Sequence, residues 1–365
     1  MFSFVSSTHA GFIPLDLLDT ELNDKSTYAA LYVTLGAGST LGGNMQGFAP
    51  ITTGVNSVVG GNVSAGTAVT SGAGSSIGGY IQAGTTAITG VGASVGGSIF
   101  SGTTAGTGAN SIVGGDIEAG GLYTAGSGAL VSGNLNDQLS LVPGYTAPAV
   151  INQEAQLDIV QATLNQLGIT EGSANLDITF GLVNETLFAG VYDSLNYLTI
   201  RAGKTLTLDG LGVDGDFLFN IHNYLDFAAG SKVELINFTD NSHVIWNVIG
   251  DAVGSSGYMQ AAADVSIRGF IFANGYVNTG DRTTLNGVGN SCGGAFSVND
   301  YVLFGANNIV GGLGCDTYFT DVTDVTDDTG VTDVPEPRTA ILLLGLAGLL
   351  FSRHRKQRKS AGSGL

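Results

Sequence analysis

Few residues of this chain could carry acid–base or nucleophilic chemistry. The histidines are His9, His222, His243 and His354. Asp209, Asp214, Asp216 and Asp226 lie close to the middle two, and a carboxylate pair among them would equip a carbohydrate-acting solenoid enzyme. No nucleophile motif accompanies either histidine, and solvated turns account better for the four aspartates. No glycine-rich stretch leads into the Lys-Ser/Thr of a phosphate loop. Cys292 and Cys315 have no histidine nearby, so neither a metal site nor a cofactor is expected. The two thiols are read either as one disulfide made in an oxidising compartment or as free cysteines. The expectation is a protein that is not an enzyme.

What the chain offers instead is hydroxyl groups at regular intervals. One candidate set is Thr52, Thr70, Thr86, Thr104 and Thr124; a second is Thr67, Thr85 and Thr103. Pro50, Ile88, Gly106 and Leu122 interrupt these rows. Hydroxyl and methyl groups at a fixed spacing on a stiff plane can engage an ordered surface without catalysis, because rigidity limits the entropy lost on adsorption. Threonine is also an ordinary exposed strand residue.

The elements that would position these groups are set by a repeat. Glycine pairs recur every 18 residues at Gly42-Gly43, Gly60-Gly61, Gly78-Gly79, Gly96-Gly97 and Gly114-Gly115, with Ser132-Gly133 closing the series. A fixed period of this size marks stacked identical units. At finer grain glycine falls every six residues, from Gly54 through Gly60, Gly66, Gly72, Gly78 and Gly84 onward. Eighteen residues thus divide into three sides, with a glycine at each corner where tight turns or positive φ are expected. Leu41, Val59, Ile77, Val95, Val113 and Val131 precede the pairs, and Met45, Val63, Ile81, Ile99, Ile117 and Leu135 follow them. Polar neighbours flank the second column, so alternation puts the apolar residues inside. The fold class is all-β, a triangular β-solenoid, and its hexad resembles that of left-handed β-helices.

Composition agrees. Of 365 residues 58 are glycine and 12% are charged, with a net charge of −18; average chains carry about 7% glycine and about 25% charge. Such acidity disfavours nucleic acid and suits an exported protein. Residues 1–10 resemble the end of a signal peptide. Residues 11–143 hold the regular solenoid, with Tyr28 to Leu35 as its first strand. Residues 144–186 form a connection containing one helix, 149–167, bounded by Pro148 and Gly168. Its stripe of Leu157, Val160, Leu164 and Leu167 should pack along one side of the solenoid. Residues 187–315 return to strands without the strict period, and Gly305–Gly312 nearly copies Gly108–Gly115, so this part rejoins the same solenoid. Residues 316–333 are an acidic Thr/Asp linker.

The last segment, 334–359, has three parts. Val334-Pro335-Glu336-Pro337 precedes an apolar run over 340–351, and Arg353, Arg355 and Lys356 lie in the basic cluster that follows. This order resembles the PEP-CTERM sorting signal. The resemblance implies processing by an exosortase-type enzyme and a short helix held transiently in the inner membrane, with the C-terminus cytoplasmic.

A second resemblance covers roughly residues 28–313. Ala189-Gly190-Val191-Tyr192, Thr205-Leu206-Thr207-Leu208-Asp209-Gly210, Phe217-Leu218-Phe219-Asn220-Ile221 and Val244-Ile245-Trp246-Asn247-Val248 are similar to the Pro-Gly-Val-Tyr turn, the Leu-Thr-Leu strand and the two aromatic-centred strands of the ice-binding-like family. The chain departs from the family in its longer, more regular first half and in the glycine-rich turn Gly287–Gly294. The resemblance implies a β-solenoid with a flanking helix and adsorption to an ice surface through the threonine rows. The alternative is a structural or adhesive component of the cell surface that meets extracellular polysaccharide.

Overall fold

The computed structural model describes residues 25–141, 149–167, 176, 181–250, 257–289, 291–311 and 315. The expectations for 1–10, 316–333 and 334–359, and for the helix-bounding Pro148 and Gly168, lie outside the described residues.

Among these residues three all-parallel sheets of 12, 11 and 12 strands enclose one core. Each coil passes through them in turn, here called faces A, B and C. In one coil the strands Ile81–Ala83, Thr86–Ile88 and Ser94–Val95 occupy A, B and C. The next coil repeats them in register, with Ile81 beside Ile99, Thr86 beside Thr104 and Ser94 beside Ser76 and Ile112. The two aliphatic columns point inward, as expected, and Leu41, Met45, Val59, Val63, Ile77, Ile81, Val95, Ile99, Val113 and Ile117 are fully buried. Leu135, on the last strand of the array, is 48% exposed because no further coil covers it.

The glycines have a different cause from the one expected. Those of the six-residue series do not adopt positive φ. A Cβ on Gly60, Gly78, Gly96 or Gly114 would instead collide with the carbonyl oxygen of the glycine one coil earlier. The second glycine of each pair leaves room for a side chain. Asn44 Oδ1 accepts from Asn62 N at 2.7 Å, Asn62 Oδ1 from Tyr80 N at 2.9 Å, and Ser98 Oγ from Asp116 N at 3.0 Å. These caps fill the space that a Cβ on Gly61, Gly79 or Gly115 would need. The left-handed residues stand elsewhere, once per coil at the B/C edge. They are Gly38, Asn56, Gly74, Gly92, Asn110 and Gly128, with φ between 54° and 74°. Asn takes this conformation more readily than other non-glycine residues.

The coils are not stacked in chain order. Along face A the strand Lys25–Ala29 lies between Asn44–Gly47 and Gly294–Ser297, so the first coil pairs with the last. The same holds on face B, where Thr34 is beside Leu303, and on face C, where Thr40 is beside Ile309. The chain therefore starts at mid-length and builds outward to one end. It then returns to the far end and builds back to its start. Tyr28 to Leu35 is accordingly two strands, Lys25–Ala29 and Val33–Leu35, with the A/B corner between them.

The return runs over face A. Gln82 Nε2 donates to Ala149 O and Gln46 Nε2 to Ile151 O, both at 2.8 Å. Tyr28 donates its hydroxyl to Asn152 Oδ1 at 2.6 Å, and burial pushes that phenol up to about 12, which keeps the proton in place. Helix α1 spans Glu154–Gln166, starting later than expected because 149–153 are non-helical and bond to side chains of face A. Its 13 residues reach about 20 Å, the width of roughly four strand spacings. Leu157, Val160 and Leu164 are buried against Val191, Leu218, Ile245, Phe272 and Phe296, and Leu167 packs beside them. Gln161 Nε2 reaches Val248 O and Phe272 O, and Asn220 Nδ2 reaches Leu164 O. With α1 on one side and the core on the other, Asp216–Ile221 and His243–Val248 are buried along their whole length.

The disulfide alternative holds: Cys292 and Cys315 are bonded. They sit at the C/A edge where first and last coils meet; Ser26 Oγ lies 3.0 Å from Cys292 Sγ and accepts from Gly43 N at 2.9 Å, and a Cβ on Gly42 or Gly43 would run into Cys315 Sγ or Ser26 Oγ.

Three outcomes are expected in denaturant unfolding. Gly78→Ala should cost about 3 kcal/mol, at the upper end for overpacking because the obstacle is backbone, whereas Gly92→Ala, with φ +65° and open space, should cost about 1 kcal/mol. Reducing Cys292–Cys315, which closes a separation of 23 residues, should cost about 3 kcal/mol.

Candidate functional site

Face A carries α1 and the return segment, and among the described residues no other element lies over faces B and C. Face B carries the threonines. Its outward positions fall into two columns, two residues apart along each strand, so roughly 6.6 Å, with about 4.8 Å between coils.

The central column runs Thr34, Thr52 and Thr70 in register, then Ile88, Gly106 and Thr124. Thr86 and Thr104 are paired with each other in the second column, nearer the A/B edge. The structure thus divides the first candidate set between two adjacent lines on one face. Thr52, Thr70, Thr104 and Thr124 are exposed and Thr86 is half-buried. Thr67, Thr85 and Thr103 form a third line at the corner itself, all exposed. Thr85 N donates to Thr67 O and Thr103 N to Thr85 O, both at 2.8 Å, and Thr103 Oγ1 also reaches Thr85 O at 2.9 Å.

Other hydroxyls in the repeat point inward. Thr53, Ser71, Thr89 and Thr107 are buried. Thr53 Oγ1, Ser71 Oγ and Thr89 Oγ1 accept from Gly72 N, Gly90 N and Gly108 N one coil on, each at 3.3 Å. Part of the threonine content therefore serves coil stacking, not the surface.

In the second half of the chain face B changes character. The central column reads Thr199, Asp226, Gln260, Asn278 and Leu303. The second column is a ladder of tyrosines, Tyr197, Tyr224, Tyr258, Tyr276, Tyr301 and Tyr32, stacked at 4.8, 5.3, 4.8, 5.2 and 4.8 Å. The rings cover one another's faces, so the stripe presents ring edges and hydroxyls. Sequence reasoning missed it because the coils of this half differ in length and the final step joins Tyr301 to Tyr32. Burial raises Tyr224, Tyr276 and Tyr301, and neighbouring tyrosines add to the shift.

The residues first considered for acid–base work are placed apart. Asp209 Oδ1 accepts from Leu211 N and Asn237 Nδ2 in a turn. Asp214 is held below the usual carboxylate range by Thr239 and Asn241. Two of the four are not solvated turns, contrary to expectation. Asp216 is buried, and its Oδ1 lies 2.8 Å from Nδ1 of His243 on the neighbouring strand of face A. Asp226 lies within face B, where burial raises it despite Gln260. His222 Nε2 bonds Asp193 Oδ1 at 2.9 Å. Among the described residues no group of three or more His, Cys, Asp or Glu could hold a metal ion.

The fold and this face define a β-solenoid with a repetitive hydroxyl surface on one face and a helix along another. The ice-binding-like family model matches residues 63–310, and the chain belongs to that family. Solved structures with the likeness include an ice binding protein from an Antarctic Biological Consortium, at 15% identity, 85% of this chain, 95% of that one and a TM-score of 0.44. The ice-binding protein_1 DUF3494 domain of Shewanella frigidimarina shares 24% identity over 61% of this chain and 92% of that one, at a TM-score of 0.35. The ice-binding protein of the Antarctic ascomycete Antarctomyces psychrotrophicus shares 20% over 64% and 93%, at 0.33. A search of curated proteins gives no match.

Asp226 gives a signed pH effect. Its raised pKa means that the folded state holds the proton more tightly than the unfolded one. Its contribution to stability is therefore full below the unfolded pKa and lost as pH rises through the folded pKa. Asp226→Asn should raise the Tm at neutral pH and remove that part of the pH dependence between acid and neutral scans.

Proposed function

We propose that this protein adsorbs to ice crystals through face B, chiefly through the lines Thr52–Thr70, Thr86–Thr104 and Thr67–Thr85–Thr103. The observation that carries the reading is the grid of threonines held by backbone pairing at one spacing, with no described element over it, in a member of the ice-binding-like family. A plane ordered before contact loses little side-chain entropy on binding, and methyl and hydroxyl groups together suit a surface of ordered water. No reacting group is required, and the activity is not enzymatic.

The finer reading is of an exported protein. Residues 334–359 would direct it through the inner membrane to an exosortase-type enzyme and leave it at the cell surface or outside the cell. One observation favours a second reading, a structural or adhesive component of the surface matrix that meets extracellular polysaccharide. Pro50, Ile88, Gly106 and Leu122 break the threonine lines, and the tyrosine ladder replaces them beyond Tyr32.

Thermal hysteresis and inhibition of ice recrystallisation decide between the two. Thr52→Tyr/Thr70→Tyr and Thr86→Tyr/Thr104→Tyr should each remove most of the activity with β-content unchanged. Ser76→Tyr/Ser94→Tyr on face C should retain it. A folded wild-type chain inactive in both assays would leave the matrix reading.

A further inference from the structure

The two ends of the solenoid are finished differently. At the end built by the second half of the chain, described residues close the stack. Leu176 is buried in the main core, and its N donates to Asp193 O at 2.7 Å. Gly181 O accepts from Arg201 N at 3.1 Å, and Asn184 Oδ1 from Thr205 N at 3.0 Å. The terminal coil there carries Glu185, Asp193, Arg201 and Lys204.

At the array end the described residues close only one corner. Gln138 N donates to Gly121 O and Ser140 N to Gly120 O, which sets the short helical turn Leu139–Leu141 over the A/B edge. The strands Tyr123–Ala125, Leu130–Val131 and Leu135–Asn136 are the outermost of their sheets. In earlier coils Ile81, Ile99 and Ile117 donate N to Ser98, Asp116 and Asn134 O, and Ile77, Val95 and Val113 O accept from Gly96, Gly114 and Ser132 N. The equivalent Leu135 N and Val131 O meet no partner among the described residues. The inward positions are open as well: Ala125 and Leu135 are exposed, whereas Thr107 and Ile117 one coil earlier are buried. Sheet edges are usually blunted by lysine, proline or other charges. Residues 120–141 contain no lysine and no proline, and their single charge is Asp137.

We propose that this end is a self-association surface, on which two copies of the chain meet array end to array end about a two-fold axis. Such an axis crosses the solenoid and reverses strand direction, so the edge strands pair antiparallel. Val131 and Leu135 of one copy then cover the open core of the other. Charge selects the occupant: copies with a net charge of −18 repel one another, and this end brings only Asp137 toward its partner. The closed far end selects the arrangement. Leu176, Gly181 and Asn184 already take the groups that a head-to-tail neighbour would need. The contact is therefore between like ends and stops at two chains instead of growing into a fibre. Its size fits, since the end presents about 20 residues, the number that one partner brings to a stable interface. The inference does not depend on what face B binds.

The test uses the full chain, whose two cysteines are bonded to each other. Sedimentation over a concentration series should show a reversible dimer. Leu135→Lys, which places a charge at the open edge, should weaken it about ten-fold or more, with circular dichroism unchanged. Asn136→Cys and Thr186→Cys put one thiol on the terminal strand of either end, both at exposed positions. A bis-maleimide about 20 Å long, the width of one six-residue side, should join Asn136→Cys chains to one another. It should join neither Thr186→Cys chains to one another nor the two variants in a mixture. These crosslinks decide the matter where Leu135→Lys fails to fold. A chain that stays monomeric at its highest soluble concentration would overturn the proposal. So would a dimer that does not crosslink through position 136, a dimer equally strong in folded Leu135→Lys, or crosslinks joining position 136 to position 186.

Discussion

The backbone pairing of one coil with the next governs this protein. Successive coils approach so closely that a Cβ at the recurring corner glycines would strike the carbonyl of the coil before. Everything periodic follows from that contact. Glycine is required where backbone meets backbone, and Asn, Ser or Asp is placed where an orphan N–H of the next coil needs an acceptor. Aliphatic columns fill the interior at the same spacing. The threonine lines on face B inherit their regularity from this pairing, not from contacts with one another, except at the corner where Thr103 reaches back to Thr85.

The winding order is the second constraint. With the first coil set between the second and the last, the two halves of the chain share one core although the paired strands lie more than 260 residues apart in sequence, as Thr27 and Ala295 do. That junction is held on every edge. Tyr32 stacks on Tyr301 at the A/B edge, Ser39 Oγ bonds Gly305 O and accepts from Asn308 N at the B/C edge, and Cys292–Cys315 closes the C/A edge. The return over face A decides which faces remain open, so the helix contributes to the surface indirectly, by occupying the alternative.

The regular array was legible in the sequence because each coil has the same length and every column is visible as a column. The inward aliphatic lines, the helix stripe and the joining of the two halves could all be read that way. The cause of the glycines could not: a sequence shows where side chains are missing, and only the stack shows that the missing volume holds a carbonyl or an Asn side chain. Spacing put Thr52 outward, and it is exposed, but did not show that the adjacent Thr53 turns inward and accepts from Gly72 N. Thr86 and Thr52 looked equivalent and stand in different lines, because the outward residues of a strand lie two apart. The tyrosine ladder was hidden by unequal coil lengths, and the burial of Asp216 beside His243 by a strand pairing between residues 27 apart in sequence.

The array also sets how such a molecule could change in size. Its coils are interchangeable, and the junction and α1 lie away from its free end. Duplicating one coil in the middle of the array would add a complete layer with every corner glycine and polar cap already matched. The other requirement falls on the return segment, whose described part from Ala149 to Gln153 crosses the coils ahead of α1. One further strand spacing of about 4.8 Å asks for one or two more residues there. Face length is thus a quantity that gene duplication can lengthen or shorten in whole steps, leaving the core of the other half untouched.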